Sequence, residues 1–209
     1  MLLILNFLIL IKKKIKKIKI LVICKGKNFE NEVYDRSFEY KNILSGVKKL
    51  VEFLPNEILN SMYFRVKENL EENEEKKFLE SKNLKLLKSN ENIFKYMAES
   101  DLVIHMYNST GVLECLSLNI PTMFFWPDHK NFRNYYDDRF VGFCKNEEIL
   151  FDSVELLAQN LIAKFKDIKT WWKQDKLQKK REIVCEQYSV LPNQKSLKEL
   201  SKKFINEKK

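Results

Sequence analysis

Hydrophobic and polar positions follow two different periods along the chain. KIKILVICK, residues 17–25, is an apolar, β-branched run that stops at Gly26, the pattern of a buried parallel strand. Ile43, Val47, Leu50, Val51 and Leu54 then recur at helical spacing until Pro55, which predicts an amphipathic helix over about 37–53. SMYFRVK (61–67) and NLKLLK (83–88) read as the next two strands. The acidic ENLEENEEKK between them reads as a solvated short helix or loop.

The second half keeps this alternation. NIFKYMAES (92–100) reads as a helix, DLVIHMY (101–107) as a strand, STGVLECLSLN (109–119) as a helix and PTMFFW (121–126) as a strand. Helical patterns follow at about 153–166 and 170–188, with Trp171 and Trp172 at the start of the second, where they are expected to staple the C-terminal helix to the domain. Strand, helix, strand at these lengths implies right-handed crossovers. The expected fold is a doubly wound α/β domain, its parallel sheet holding 17–25, 61–67, 83–88, 101–107 and 121–126 with helices on both faces.

The two ends differ from this middle. Residues 1–16 form an apolar and then basic segment, 17–190 the domain, and 191–209 a polar, Lys-rich tail. LLILNFLILI (2–11) is about half as long as a bilayer crossing requires, and its lysines follow the apolar run, the reverse of a secretory signal. Three readings stand: a membrane-surface anchor with Lys13, Lys14, Lys16 and Lys17 at anionic lipid, a buried segment, or the tail of a longer protein that starts upstream.

Composition narrows the classes. A chain of 209 residues suffices for one domain or for half of a two-domain enzyme. The net charge of +9 suits an anionic partner, but the lysines are scattered, as on any solvated basic surface. No aromatics interleave with arginines, which argues against nucleic acid. Cys24, Cys115, Cys144 and Cys185 are far apart and neither His105 nor His129 neighbours a cysteine pair, so neither a zinc site nor a disulfide framework is expected. This cysteine usage is that of an intracellular, reduced chain.

In a doubly wound sheet, ligands bind where strand carboxyl ends lead into helix N-termini, and HMYNSTGVLECLSLNIPTMFFWPDH (105–129) contains such a place. Asn108 or Ser109 can cap the helix, leaving the N–H groups of Thr110, Gly111 and Val112 to carry the positive end of its dipole outward. Gly111 would let a phosphate approach the backbone, and a diphosphate fits this arrangement. The same tetrad also marks an ordinary helix start. Glu114, on the first turn and away from the Val112, Leu113, Leu116 face, can accept from a ribose diol or simply complement the dipole.

SDLVIHMYNSTGVLECLSLNIPTMFFWPD resembles the donor-side half of GT-B glycosyltransferases. More closely, it is similar to a family of bacterial surface-carbohydrate transferases in which a strand, a Tyr-Asn-(Ser/Ala)-Thr turn, a Leu-Glu helix and Asn-Ile-Pro-Thr occur in this order. Phe125-Trp126, Arg133, the Gly142 segment leading to Phe151-Asp152-Ser153, Trp171-Trp172 and the Cys185 region extend the likeness over roughly 17–190. The resemblance implies a Rossmann-like donor-binding domain that uses a nucleotide-sugar as substrate, with no resident cofactor or metal. It further implies a carbohydrate or lipid-linked acceptor and a cytoplasmic location, at the inner face of a membrane if the Lys-rich N-terminus touches lipid. Two departures stand out: such enzymes have two domains and this chain matches only the second, and KGKNFENEVYDR after β-run 17–25 lacks the expected Tyr-Pro-Arg-rich loop.

Within that frame Arg65 either pairs with a donor phosphate or makes a surface ion pair, and His105 is either a hydrogen-bonded core histidine or a base, and counts among the candidate sugar contacts. Asp128, His129 and Arg133 are candidate sugar contacts, with a solvated loop as the alternative for the first two. The expected reaction is attack of an acceptor hydroxyl on the anomeric carbon, the departing diphosphate being stabilised by the helix start and basic residues. A non-catalytic nucleotide-binding or interaction module is the alternative, and basic-surface binding a third.

Overall fold

Runs that are apolar on both faces pair into one parallel sheet. The computed structural model describes residues 18–25, 37–66, 74–88, 92–127 and 138–188. Its strands are β1 (Ile20–Cys24), β2 (Met62–Val66), β3 (Leu102–His105), β4 (Thr122–Phe125) and β5 (Leu150–Phe151), all parallel, in the order β2-β1-β3-β4-β5. The registers Leu21↔Val103 and Val103↔Thr122 put alternate side chains on opposite faces. β3 and β4 are buried at every position, which explains their unbroken apolar runs.

Helices between the strands cover both faces. They are α1 (Ser37–Phe53), α2 (Asn56–Leu59), α3 (Glu74–Ser81), α4 (Ile93–Glu99), α5 (Thr110–Ser117), α6 (Asp138–Asn146), α7 (Val154–Lys164), α8 (Ile168–Trp172) and α9 (Asp175–Tyr188). α1 carries the predicted stripe: Ile43, Val47, Leu50, Val51 and Leu54 are all buried and join Ile20, Val22 and Cys24 in the main core. α1 lies so close to β4 that a β-carbon on Gly46 would sit 2.6 Å from the Phe125 ring, so only glycine fits there without displacing the ring. On the other face Leu21, Val103, Met97 of α4 and Cys115 of α5 form a second cluster.

Three expectations need correction. The 83–88 segment is not a full strand: it meets β2 through one parallel bridge, Phe64↔Leu86, made by the Phe64 and Leu87 N–H groups at 2.8 Å each. Counted as a rudimentary strand, it turns the order into 3-2-1-4-5-6, that of dinucleotide-binding Rossmann sheets. The acidic stretch is not solvated throughout, because α3 buries Glu75 and Leu79 completely. The last helical pattern breaks at Lys173–Gln174 into α8 and α9. The sequence reading missed α2, α6 and β5; segments 1–16 and 191–209 lie outside the described residues.

The C-terminal helices are fastened to the end of α5. Trp171 and Trp172 are buried, and the Trp172 Nε1–H donates to the Asn119 carbonyl at 3.2 Å and to its Oδ1 at 2.7 Å. The buried Arg181 guanidinium donates to the Leu116 carbonyl at 2.7 Å, where a helix C-terminus favours a cation. The expected stapling role of the tryptophans is what the contacts show. No helix among the described residues is long and apolar enough to cross a membrane.

Candidate functional site at the start of α5

The chain reverses its direction of travel across the sheet between β1, flanked by β2, and β3 on its other side, and a doubly wound sheet opens a crevice at such a point. The segment Met106–Ser109 leaves β3 there and enters α5. A pocket of about 320 Å³ sits over this turn, lined by Asn108, Ser109, Thr110, Val112, Leu113, Phe140 and Tyr188. Its size falls in the range of small-molecule sites. The polar side is the Asn108–Thr110 turn; the apolar side is α5 together with Phe140 and Tyr188, whose rings meet edge to face at 5.7 Å and 62°.

Ser109 stands at the N-cap position with extended backbone, yet its side chain makes no cap hydrogen bond. Asn92 and Ser153 show the ordinary arrangement, accepting from the N–H groups of Phe94 and Leu156. The Ser109 hydroxyl instead meets His105 Nδ1 at 3.0 Å. The first turn of α5 is also tighter than expected, because the Val112 N–H is taken by the Ser109 carbonyl at 3.1 Å. That leaves the Thr110 and Gly111 N–H groups, which have no intrahelical acceptor by position.

His105 is wholly buried, with Nε2 3.7 Å from Cys115 Sγ. Burial pushes its pKa down to about 4, so the ring is neutral. It reaches the pocket only through Ser109, in place of the direct sugar contact entertained from sequence. Gly111 has a further reason beside the one expected: a β-carbon there would lie 2.7 Å from His105 Cε1, so the glycine makes room for the imidazole beneath the helix. Tyr107 is half-buried; burial first, then the nearby Cys24 and Glu75, push its pKa up, with Ser109 acting in the opposite direction.

Thr110 is exposed at the rim and Glu114 lies one turn farther along, half-buried, on the same side of α5. Arg65 sits on β2, level with Ile23 and, across β1, with His105, about 10 Å away at ordinary strand spacing. Its guanidinium donates to the Lys88 carbonyl, which ties it to the neighbouring edge segment. Asp128, His129 and Arg133 lie outside the described residues. Phe140 and Tyr188 were not singled out from sequence. They stand in regions the resemblance touches, but only packing of α6 against α9 brings them together. Among the described residues no group of three or more His, Cys, Asp and Glu side chains is placed to hold a metal ion.

A larger depression of about 450 Å³ lies at the opposite, amino ends of the strands, lined by Lys19, Glu99, Asp101, Pro121 and Lys169 among others. Its charges pair with each other: Lys169 meets Asp101 at 3.0 Å and the Lys19 ammonium meets Glu99 at 3.9 Å, while the Lys19 backbone N–H donates to Asp101 at 3.1 Å. The carboxyl-end pocket is therefore the better candidate.

Among solved structures the chain is similar to that titled "Structure of the Wall Teichoic Acid Polymerase TagF", with 16% identity and a TM-score of 0.45, covering 92% of this chain and 45% of that one. The chain thus spans less than half the length of that polymerase chain. No curated protein matches it. The model of the LIC12162 family transferases matches residues 20–204, which takes in the whole sheet and the pocket, and the chain belongs to that family.

Proposed function

We propose that this chain is the donor-binding half of a nucleotide-sugar-dependent glycosyltransferase acting in bacterial surface-carbohydrate assembly. The observation that carries the reading is the pocket at the start of α5, with the polar Asn108–Thr110 turn on one side and an aromatic wall on the other. Membership of a transferase family and the likeness of residues 100–128 to GT-B donor domains support it.

In this reading the diphosphate lies against the Thr110 and Gly111 N–H groups, with Asn108 and the Thr110 hydroxyl beside it and the helix dipole favouring its charge. The Phe140–Tyr188 wall takes the flat, apolar part of the ligand. Glu114 accepts from the ribose diol. An acceptor hydroxyl, on a carbohydrate or a lipid-linked carrier, attacks the anomeric carbon, and the bond to the diphosphate breaks with its electrons. The fixed donors stabilise the charge that develops on the leaving group. Arg65, Asp128, His129 and Arg133 complete the donor side, and a second domain supplies the acceptor side. The Lys-rich N-terminus holds the enzyme at the cytoplasmic membrane face.

Calorimetric titration with nucleoside diphosphates tests the reading. Glu114→Gln is expected to weaken binding by about 1–3 kcal/mol, the range for hydrogen bonds to a charged group, with the melting temperature nearly unchanged. Unaltered affinity would leave Glu114 as a dipole-complementing carboxylate. The 209-residue chain is expected to bind without transferring sugar; robust turnover by it would end the half-enzyme account.

A further inference from the structure

The amino ends of the strands carry a depression that nucleotide binding leaves unused. Its larger part, about 450 Å³, continues past Lys19, Glu99 and Ser100 into a hollow of about 80 Å³ that Leu21, Tyr63 and Tyr96 close. Leu21 and Tyr63 are register partners on one face of the sheet, and Tyr96 of α4 packs against the cluster that holds Leu21. The Lys85 ammonium lies 5.0 Å from the Tyr63 ring centre and donates to the Asn60 carbonyl, a cation–π contact that steadies the ring.

The charged part holds two ammonium groups and two carboxylates. Lys169 and the Lys19 backbone N–H engage one oxygen each of the buried Asp101, which satisfies that carboxylate where water is scarce. Lys19 and Glu99 differ. At 3.9 Å their side chains attract without a hydrogen bond, and both are about half exposed, so each keeps bonding capacity toward a ligand. An ion of either sign gains from one member of such a pair what it loses to the other. A hydroxyl, which both donates and accepts, suits both members.

We propose that this depression binds a neutral saccharide, its hydroxyls bonded by Lys19, Glu99 and Lys169 and its C–H face laid against Tyr63 and Tyr96. A pyranose is apolar on its faces and polar around its edge, and the depression is divided in the same way. The ligand class follows from this lining alone. Only the use of the site, to hold an acceptor or product glycan at the end of the domain away from the nucleotide, rests on the transferase reading.

NMR titration of the isotope-labelled full chain with maltotriose, mannotriose and tri-N-acetylchitotriose, in the absence of nucleotide, tests the site. Saturable shifts at the Lys19, Ser100 and Asp101 amides and the Tyr63 and Tyr96 rings are expected, with the Thr110 and Gly111 amides unmoved. Glu99→Ala changes an exposed residue and is expected to lower the affinity for the trisaccharide that binds roughly threefold to tenfold, the worth of one hydrogen bond. Tyr96→Leu should lower it at least as far, and Tyr96→Phe, which keeps the ring, should retain it. No saturable shift with any of the three sugars, shifts at Thr110, Phe140 and Tyr188 in their place, or variants at 96 and 99 that all bind like the parent would overturn the proposal. A parallel titration with UDP keeps the two readings apart: its failure alone would remove the glycan-holding use and leave the saccharide site standing.

Discussion

His105 shows how one buried residue sets the terms for its neighbours. Its ring removes the β-carbon at position 111, draws the Ser109 hydroxyl away from the helix cap, and stays neutral because burial disfavours the charged form. This has a measurable consequence. The folded-state pKa, about 4, lies below the ordinary imidazole value of 6.5, so the folded chain binds this proton more weakly than the unfolded chain does. The associated stability is fully present above pH 6.5 and is lost as pH falls through the folded value, amounting to about 3 kcal/mol by pH 4. Urea denaturation at pH 7 and pH 4 should show the parent losing about that much more than His105→Gln. Equal losses would mean the imidazole is not held neutral. That the tetrad at 108–111 begins a helix was legible from its residue types. That its serine faces inward was not, because the partner lies four residues back on a strand and only folding reveals which way that strand's odd positions point.

At the scale of elements, helices in a chain with four glycines must end by other means. α3, α5 and α6 each close with the same pair of backbone hydrogen bonds: Leu84 to Leu79 and Asn83 to Glu80, Ile120 to Cys115 and Asn119 to Leu116, Ile149 to Cys144 and Glu148 to Lys145, N–H donating in every case. These are Schellman turns, and the residues in the left-handed region are Asn83 (φ 54°), Asn119 (φ 56°) and Glu148 (φ 57°). Asn119 thereby gains a second task, presenting its carbonyl and side chain to Trp172. Asn83 is exposed and offers a cleaner test. Asn83→Ala is expected to cost about 1 kcal/mol, because an ordinary side chain is strained at positive φ, whereas Asn83→Gly should cost nothing. Equal stability of the two variants by thermal melting would contradict this. Periodicity exposed the long α1 and the buried β1, β3 and β4, whose apolar runs reflect burial on both faces. It failed where the element is too short to show a period, as in the two-residue β5, and where charge disguised burial, as at Glu75 in α3.

For the whole molecule, the parallel sheet turns back between β1 and β3, and the pocket opens beside the start of α5. That location was readable from alternation alone. The aromatic wall was not: Phe140 and Tyr188 come from helices that meet only in the folded chain, and α9 is held in place by Arg181 and the Trp172–Asn119 contact at the far end of α5. The account stands or falls on the seat of the nucleotide. Titration of the isotope-labelled chain with UDP, GDP and TDP, followed by NMR, reads that seat residue by residue. Saturable shifts at the Thr110, Gly111 and Glu114 amides and at the Phe140 and Tyr188 rings are the predicted result; shifts confined to Lys19, Asp101 and Lys169 at the opposite ends of the strands, or none at all, would contradict it.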